Sequence, residues 1–233
     1  MKSTLENTYG KALQSIMFAV NPIKKKIIKT HCTVHKYINM EAIEILKAEG
    51  YEKEYKYYKD NIKSLNEGVT WADQDFKSTN HFYHAHDEKG LYGFSDALTE
   101  LKKYYTKAIN YNSVGNMCKS MCYFGAACHL LQDATVPQHA NNKLLKKHRD
   151  FEVWIVSKVM SDYSFHQQGG IIKYKNLDEY IKNNTKMANT TYYKYIDILI
   201  KEQRYLKIAE EIIHQAKQTT AGFMVTFYEE INK

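Results

Sequence analysis

The chain has 233 residues, 44% of them hydrophobic, which is enough to bury the core of one domain without requiring a second. Its 2 Pro and 10 Gly force few breaks in the backbone, and no apolar run reaches the roughly 18 residues of a membrane span. A formal net charge of +7 favours anionic partners such as a phosphodiester, nucleic acid or an acidic membrane surface.

Amphipathic periodicity predicts an all-α protein: a compact multi-helical domain of about eight to ten helices. We expect a helix at 5–20, within an N-terminal amphipathic extension at 1–22, followed by a single domain at 23–233. Within that domain, helices are predicted at about 23–49, 51–66, 95–109, 113–135, 145–162, 177–200 and 203–231. The glycine-containing, polar stretch 67–95 is predicted to be a loop region.

The N-terminal segment has a short apolar run and no small-x-small cleavage site, so no signal peptide is predicted. The four cysteines match neither a secreted disulfide framework nor a CxxC zinc ribbon; they are Cys32, Cys118, Cys122 and Cys128. We therefore expect free thiols and a cytoplasmic or peripherally membrane-associated location, with secretion left open.

Histidines and carboxylates cluster between residues 129 and 152. His129 and Asp133 are four residues apart on an apolar helix, so both project from one face. His148 and Glu152 repeat this spacing on the next helix, and His139 lies in the short connection. One such pair alone is more often an ordinary polar pair than a ligand set. Two pairs with a histidine between them predict a metal site, because zinc accepts imidazole nitrogen and carboxylate oxygen.

These motifs, in order, resemble the core signature of the bacterial zinc-dependent phospholipases C. Besides the 129–152 series, Gly68-Val-Thr-Trp-Ala-Asp73 is similar to the family segment that ends in its active-site aspartate. Asn80-His81 is similar to the segment with the family's next zinc histidine, and His35 to its N-terminal zinc histidine. The resemblance covers about 31–228.

The resemblance implies a compact helical domain around a polynuclear site of two to three Zn²⁺ ions. The implied ligands are His81, His129 and Asp133 for one ion, Asp133 with His35 for a second, and His139, His148 and Glu152 for a third. Asp73 would orient or deprotonate the attacking water and contact metal. The implied activity is that of a phosphoric diester hydrolase, which would cleave a phospholipid to diacylglycerol and a phosphorylated headgroup.

The sequence departs from the family pattern near the first ligand and around the substrate. Family enzymes begin with a tryptophan that binds zinc, whereas the tryptophans here lie inside the chain. His31, four residues before His35, is a candidate replacement, with a surface histidine as the equal alternative. Gln74 and Ser78 stand where choline-recognising enzymes have aromatic residues, so the headgroup stays open. The basic surface and the N-terminal helix are candidates for peripheral membrane contact, with covering of the site and simple packing as the alternatives for that helix.

Three other functions are compatible with parts of this sequence. Single-strand zinc nucleases share the fold and the His-x3-Asp-x5-His pattern, with nucleic acid as substrate, but end the ligand set with His-x3-Asp. Glu152 therefore favours the phospholipase branch. A catalytically degenerate zinc-binding homologue is the second alternative, and the retained Asp73 argues against it. A phosphohydrolase of the HD class would use the adjacent His86-Asp87 pair, which falls in the predicted loop instead of a helix.

Overall fold

The computed structural model describes residues 32–74, 79–90, 95–140, 146–161, 163, 165 and 169–233. These residues form eight α-helices and no strand, which confirms the predicted all-α class. The helices are α1 Thr33–Ala48, α2 Glu52–Ala72, α3 Ala97–Ser113, α4 Met117–Asp133, α5 Pro137–Ala140, α6 Lys146–Met160, α7 Leu177–Tyr195 and α8 Lys201–Ile231. None of them is long and apolar enough to span a membrane. The predicted extension at 1–22 lies outside the described residues.

Five predicted helix boundaries differ from the structure by four residues or more. Helix α1 begins at Thr33, after a turn at Cys32, where the sequence predicted one helix over 23–49. The break between α3 and α4 lies at residues 114–116 instead of 110–112.

Helix α2 continues to Ala72, through Gly68, where the sequence predicted a loop from residue 67. A mid-helix glycine costs about 1 kcal/mol in isolation, but here it is buried against α4, and packing outweighs propensity. Helix α7 ends at Tyr195 instead of residue 200, and residues 196–200 form the turn that leads into α8.

Side-chain caps explain where three of the helices begin. Asp96, Asn116 and Asn176 each accept a hydrogen bond from the backbone N–H three residues later, at the starts of α3, α4 and α7. Each cap satisfies one of the backbone donors that a helix start leaves without an intrahelical partner.

Helix α4 is the centre of the main hydrophobic core and packs closely on α2. A Cβ atom at Gly68 would lie 1.8 Å from the carbonyl oxygen of Cys122, and one at Gly125 would lie 2.0 Å from that of Leu65. Gly68 on α2 faces the backbone of α4, and Gly125 on α4 faces the backbone of α2. The backbones of the two helices are therefore in contact where they cross. Asp73 caps the C-terminus of α2, and this crossing brings it to the C-terminus of α4.

Helices α1, α7 and α8 form the other wall of the bundle. Hydrogen bonds between Tyr180 and Thr226, and between Thr191 and Glu211, show that α7 and α8 run antiparallel. Helix α8 also runs antiparallel to α4, because Gln132 donates to Thr220 and Phe124 stacks on Phe227. Helix α7 is therefore parallel to α4, and since its Asn184 donates to the carbonyl of Leu131, the turn after α7 lies beyond the C-terminus of α4. A second, smaller hydrophobic cluster joins α6 to the first half of α8.

We expect Gly68→Ala and Gly125→Ala each to lower the free energy of unfolding by about 3 kcal/mol, because backbone atoms cannot rotate away from an added Cβ. Urea denaturation would measure the change. Gly169→Ala is the matched control: its added Cβ would meet no atom closer than 3.5 Å, and we expect a change within about 0.5 kcal/mol. Equal stability of all three variants would show that the helices do not touch at the crossing.

Candidate metal centre

The carboxylate of Asp133 lies at the end of α4 among three imidazole rings. Its Oδ2 is 2.7 Å from His81 Nδ1 and 3.1 Å from His129 Nε2, while its Oδ1 is 3.4 Å from His35 Nε2. The inward nitrogens of His81 and His129 are 3.2 Å apart. All of these side chains except the partly exposed His35 are buried. The two oxygens of one carboxylate thus face different histidines.

Each histidine reaches the centre from a different part of the fold. His129 lies one helical turn before Asp133 on α4, so the pair shares a face through local geometry alone. His35 lies in the first turn of α1, and His81 in the irregular segment that follows α2. The centre therefore forms where the N-terminal end of α1 meets the C-terminal ends of α2 and α4.

In His35 and His81, a hydrogen bond on the side of the ring away from Asp133 fixes the position of the ring hydrogen. The nitrogen that faces Asp133 is therefore unprotonated and presents its lone pair. Gln132 Oε1 lies 2.9 Å from His35 Nδ1 and can only accept, so Nδ1 carries the hydrogen and Nε2 is left as a lone pair. The carbonyl of Ala72 lies 3.2 Å from His81 Nε2 and by the same reasoning leaves His81 Nδ1 as a lone pair. This is the arrangement that metal-binding histidines use.

A buried amide network holds Gln132 in place. Its Nε2 donates to Asn39 Oδ1 at 2.8 Å and to Thr220 Oγ1 at 3.2 Å. Asn39 in turn donates to Asn66 Oδ1 at 3.0 Å. The amide of Gln132 therefore cannot flip without losing these contacts, and it must present its oxygen to His35. Sequence reasoning missed Gln132, although a polar residue beside Asp133 on an apolar helix was a visible signal.

The pKa values at the centre match what a metal ligand set needs. Burial lowers the pKa of His35 to about 4, and the charge of His129 adds to the effect. Burial also lowers the pKa of His129. Burial opposes ionisation of Asp133, but the charges that His129 and His139 acquire at acidic pH outweigh it and hold the pKa of Asp133 well below the usual range. His35 and His129 are therefore neutral and Asp133 ionised near pH 7, as zinc binding requires.

One ring behaves differently. Burial alone would lower the pKa of His81, but the hydrogen bond and charge of Asp133 outweigh it and raise that pKa. His81 Nδ1 is the nitrogen 2.7 Å from Asp133, and both atoms offer lone pairs unless a proton or a cation is shared between them. His129 Nδ1 is buried and has no hydrogen-bond partner among the described residues. A set of converging lone pairs fits a cation better than it fits a hydrogen-bonded core.

Asp73 completes the cluster from the end of α2. One ligand atom each from Asp73, His81 and His129 lies within 4.8 Å of the others, and the same holds for His35, His129 and Asp133. The structure therefore brings together the five predicted residues from these two groups. It also places an unpredicted side chain at the edge: Cys32 Sγ is 3.9 Å from Asp73 Oδ2. Burial and then the charge of Asp73 raise the pKa of this thiol to about 12.

The ligands predicted for a third ion lie beside this cluster. The buried His139 ring is 6.4 Å from the His81 ring and stacks on Phe82 at 4.7 Å. Glu152 on α6 is half-buried, and its charge acts on His129. The side chain of His148, and His31 as a whole, fall outside what the structure describes, so both stay predictions.

Comparison with known proteins identifies the family of the chain. The family described as zinc dependent phospholipase C matches residues 34–208, about three quarters of the chain. A curated relative, the phospholipase C of Clostridium haemolyticum, is 23% identical over 235 aligned residues. That alignment takes in 85% of this chain but 59% of the relative, so the chain spans less than two thirds of that protein's length.

Two solved structures share the fold. The alpha toxin of Clostridium absonum superposes with a TM-score of 0.73 at 21% identity, over 86% of this chain and 65% of that one. The alpha-toxin of Clostridium perfringens, from an avian strain, superposes with a TM-score of 0.71 at 17% identity. This superposition covers 85% of this chain and 63% of that one. At such identities the likeness establishes the fold alone. The match over most of the chain decides the family: the protein belongs to the zinc-dependent phospholipases C.

Proposed function

We propose that the chain is a zinc-dependent phosphoric diester hydrolase that cleaves phospholipids as a phospholipase C. The observation that carries this proposal is the split environment of the buried Asp133 carboxylate. Its Oδ2 faces His81 and His129, and its Oδ1 faces His35, which suits a carboxylate that bridges two ions. Paired ions are suited to displacement at phosphorus, and family membership favours a phospholipid over a nucleic acid.

The two residue groups of the cluster suggest how the ions are shared. We assign one ion to His81, His129, Asp133 and Asp73, and a second to His35 and Asp133. His139, His148 and Glu152 are proposed to hold a third. Two to three Zn²⁺ ions are therefore expected. His31 stays a proposed substitute for the N-terminal ligand, and the division of the chain at residues 22 and 23 also stays a proposal.

Bound zinc would polarise the phosphate and lower the pKa of the attacking water. The protein's own part is to position that water and take its proton. Asp73 is half-buried at the edge of the cluster, and its carboxylate is the proposed acceptor. Oxygen from water bonds to phosphorus as the bond between phosphorus and the glycerol oxygen breaks. The diacylglycerol leaves with a proton, and the phosphorylated headgroup keeps the water oxygen.

The chain spans only part of the length of the relatives it matches. We propose a cytoplasmic or peripheral membrane location, with membrane contact through the basic surface and the N-terminal helix; the phospholipid headgroup stays open. A nuclease is the weaker alternative, since the family match names phospholipase C. A degenerate zinc-binding homologue would keep the ligands without turnover.

We expect Asp73→Asn to reduce hydrolysis of soluble short-chain phospholipids, assayed with several headgroups, about 100-fold or more, because the proposed proton acceptor is lost. Asp60→Asn, an exposed carboxylate on the same helix, is the control and should keep full activity. Degradation of single-stranded DNA is assayed in parallel. Unchanged phospholipid hydrolysis by Asp73→Asn would refute the assigned role. Cleavage of DNA without cleavage of phospholipid would move the chain to the nuclease alternative.

Zinc is expected to stabilise the fold through the shared carboxylate. A zinc concentration 100 times the dissociation constant should add about 2.7 kcal/mol to the free energy of unfolding. Asp133→Asn should lose most of this gain, since both proposed ions depend on that side chain. Thermal unfolding against zinc concentration, with metal content by mass spectrometry, measures both quantities. Full zinc stoichiometry in Asp133→Asn would contradict the bridging role.

Gln132→Leu should weaken zinc binding about 10- to 100-fold, because His35 would lose the partner that fixes its tautomer. Gln132→Glu retains an oxygen for His35 Nδ1 and should recover most of the affinity. Competition with a chromophoric zinc chelator gives both values, and circular dichroism checks that the variants are folded. Identical affinities for the Leu and Glu variants would show that the hydrogen bond does not position His35.

A further inference from the structure

Cys32 is a buried thiol beside the metal centre, and the proposed mechanism gives it no part. Its side chain is 3% exposed and forms no disulfide. Cys32 is the N-cap residue of α1, and its carbonyl accepts a hydrogen bond from the N–H of Lys36 at 3.0 Å. His35 is the third residue of the helix. Side chains at these two positions lie on the same side of a helix start, so Cys32 and His35 are neighbours.

The thiol is directed toward the end of α2, where Asp73 lies. Cys32 Sγ is 3.7 Å from the carbonyl oxygen of Val69 and 3.9 Å from Asp73 Oδ2. Asp73 is itself part of the cluster, with a ligand atom within 4.8 Å of His81 and His129. The charges of Asp73 and Asp133 act on both Cys32 and His35. The thiol and the imidazole therefore face the same two carboxylates.

A cation between His35 and Asp133 is indicated independently of Cys32. Gln132 keeps the hydrogen of His35 on Nδ1, so His35 Nε2 directs a lone pair toward Asp133 Oδ1, 3.4 Å away. Two lone pairs that face each other have no attraction, and Asp133 is buried away from water. A shared cation supplies the attraction that this geometry lacks.

The donors assigned so far to this second ion are too few for zinc. Zinc has four ligands in structural sites, and three protein ligands with one water in catalytic sites. His35 and Asp133 supply two, and the other member of their group, His129, is already assigned to the first ion. Thiolate sulfur is a ligand that zinc prefers, and Cys32 is the neighbouring thiol.

We propose that Cys32 is the third protein ligand of the zinc ion shared by His35 and Asp133. Zinc binds the thiolate, so the thiol hydrogen leaves as a proton when the Zn–S bond forms. The inference rests on the proposed zinc site. It gives the second ion a donor from the described part of the chain, whether or not His31 also binds.

X-ray absorption of the zinc-loaded protein tests this assignment, because it measures which atoms surround the metal. The unmodified protein should show sulfur at about 2.3 Å from zinc, beside nitrogen and oxygen at about 2.0–2.2 Å. Cys32→Ser should lose the sulfur signal, because its hydroxyl can keep a hydrogen bond to Asp73 but offers no sulfur. Cys118→Ser/Cys122→Ser removes the two thiols that are not buried, and as the matched control it should keep the signal.

Two more variants keep the test decisive. Cys32→Asp restores an anionic ligand, so it should bind as many zinc ions as the unmodified protein, measured by mass spectrometry, without the sulfur signal. If Cys32→Ser does not fold, adding Cys128→Ala to the control variant leaves Cys32 as the only one of the four thiols. Sulfur at zinc in that protein then comes from Cys32.

The outcomes separate this inference from the proposed function. Full zinc content without a sulfur signal in the unmodified protein overturns the role of Cys32, as does a sulfur signal that survives in Cys32→Ser. Hydrolysis of soluble short-chain phospholipids is measured on the same samples. Sulfur ligation by Cys32 without any hydrolysis supports the ligand and removes the proposed function. Hydrolysis by zinc-loaded protein that lacks the sulfur signal removes Cys32 and keeps the proposed function.

Discussion

The buried carboxylate of Asp133 is the constraint on which the rest of this structure depends. Taking an ionised carboxylate out of water costs several kcal/mol, even after the protein relaxes around it. Three imidazole nitrogens within 3.4 Å offset that cost, and only His129 comes from the same helix. The fold must therefore hold the start of α1 and the segment after α2 against the end of α4, or the charge is left uncompensated.

Close packing and buried polar contacts together meet this requirement. The crossing at Gly68 and Gly125 lets α2 approach α4 backbone to backbone, which brings Asp73 to the cluster. Helix α1 is tied to α8 by Lys217, a buried lysine that donates to Glu41 at 2.8 Å, to the Phe165 carbonyl at 3.0 Å and to Tyr37 at 3.1 Å. A buried lysine with three acceptors is tolerated, since each of its donors is satisfied.

The same geometry relates the chemistry to the proposed substrate. All the helix ends that form the metal centre lie at one end of the bundle, and α7 and α8 extend past that end. If the proposed phospholipid lies in a bilayer, this end of the bundle must face the bilayer surface for the substrate to reach the metal centre.

The sequence by itself determined the helical class, most helix positions, the shared face of His129 and Asp133, and the resemblance to the family. These features depend on local spacing, because residues four apart on a helix are neighbours wherever the helix packs. Headgroup preference could not be predicted, since it depends on the shape of the surface around the metal centre.

Only the tertiary structure decided what depends on contacts between distant parts of the chain. His35 and Asp133 meet although they are 98 positions apart in the chain, because separate helices pack at one end. Cys32 and Asp73, which are 41 positions apart, meet for the same reason. The same packing carried α2 through Gly68 to Ala72, where local propensity predicted a loop. It also placed Gln132 against His35 and left Leu199 at the apex of a turn that the sequence had assigned to a helix. Periodicity specifies which residues share a face, but the partner of that face is chosen by how whole helices fit together.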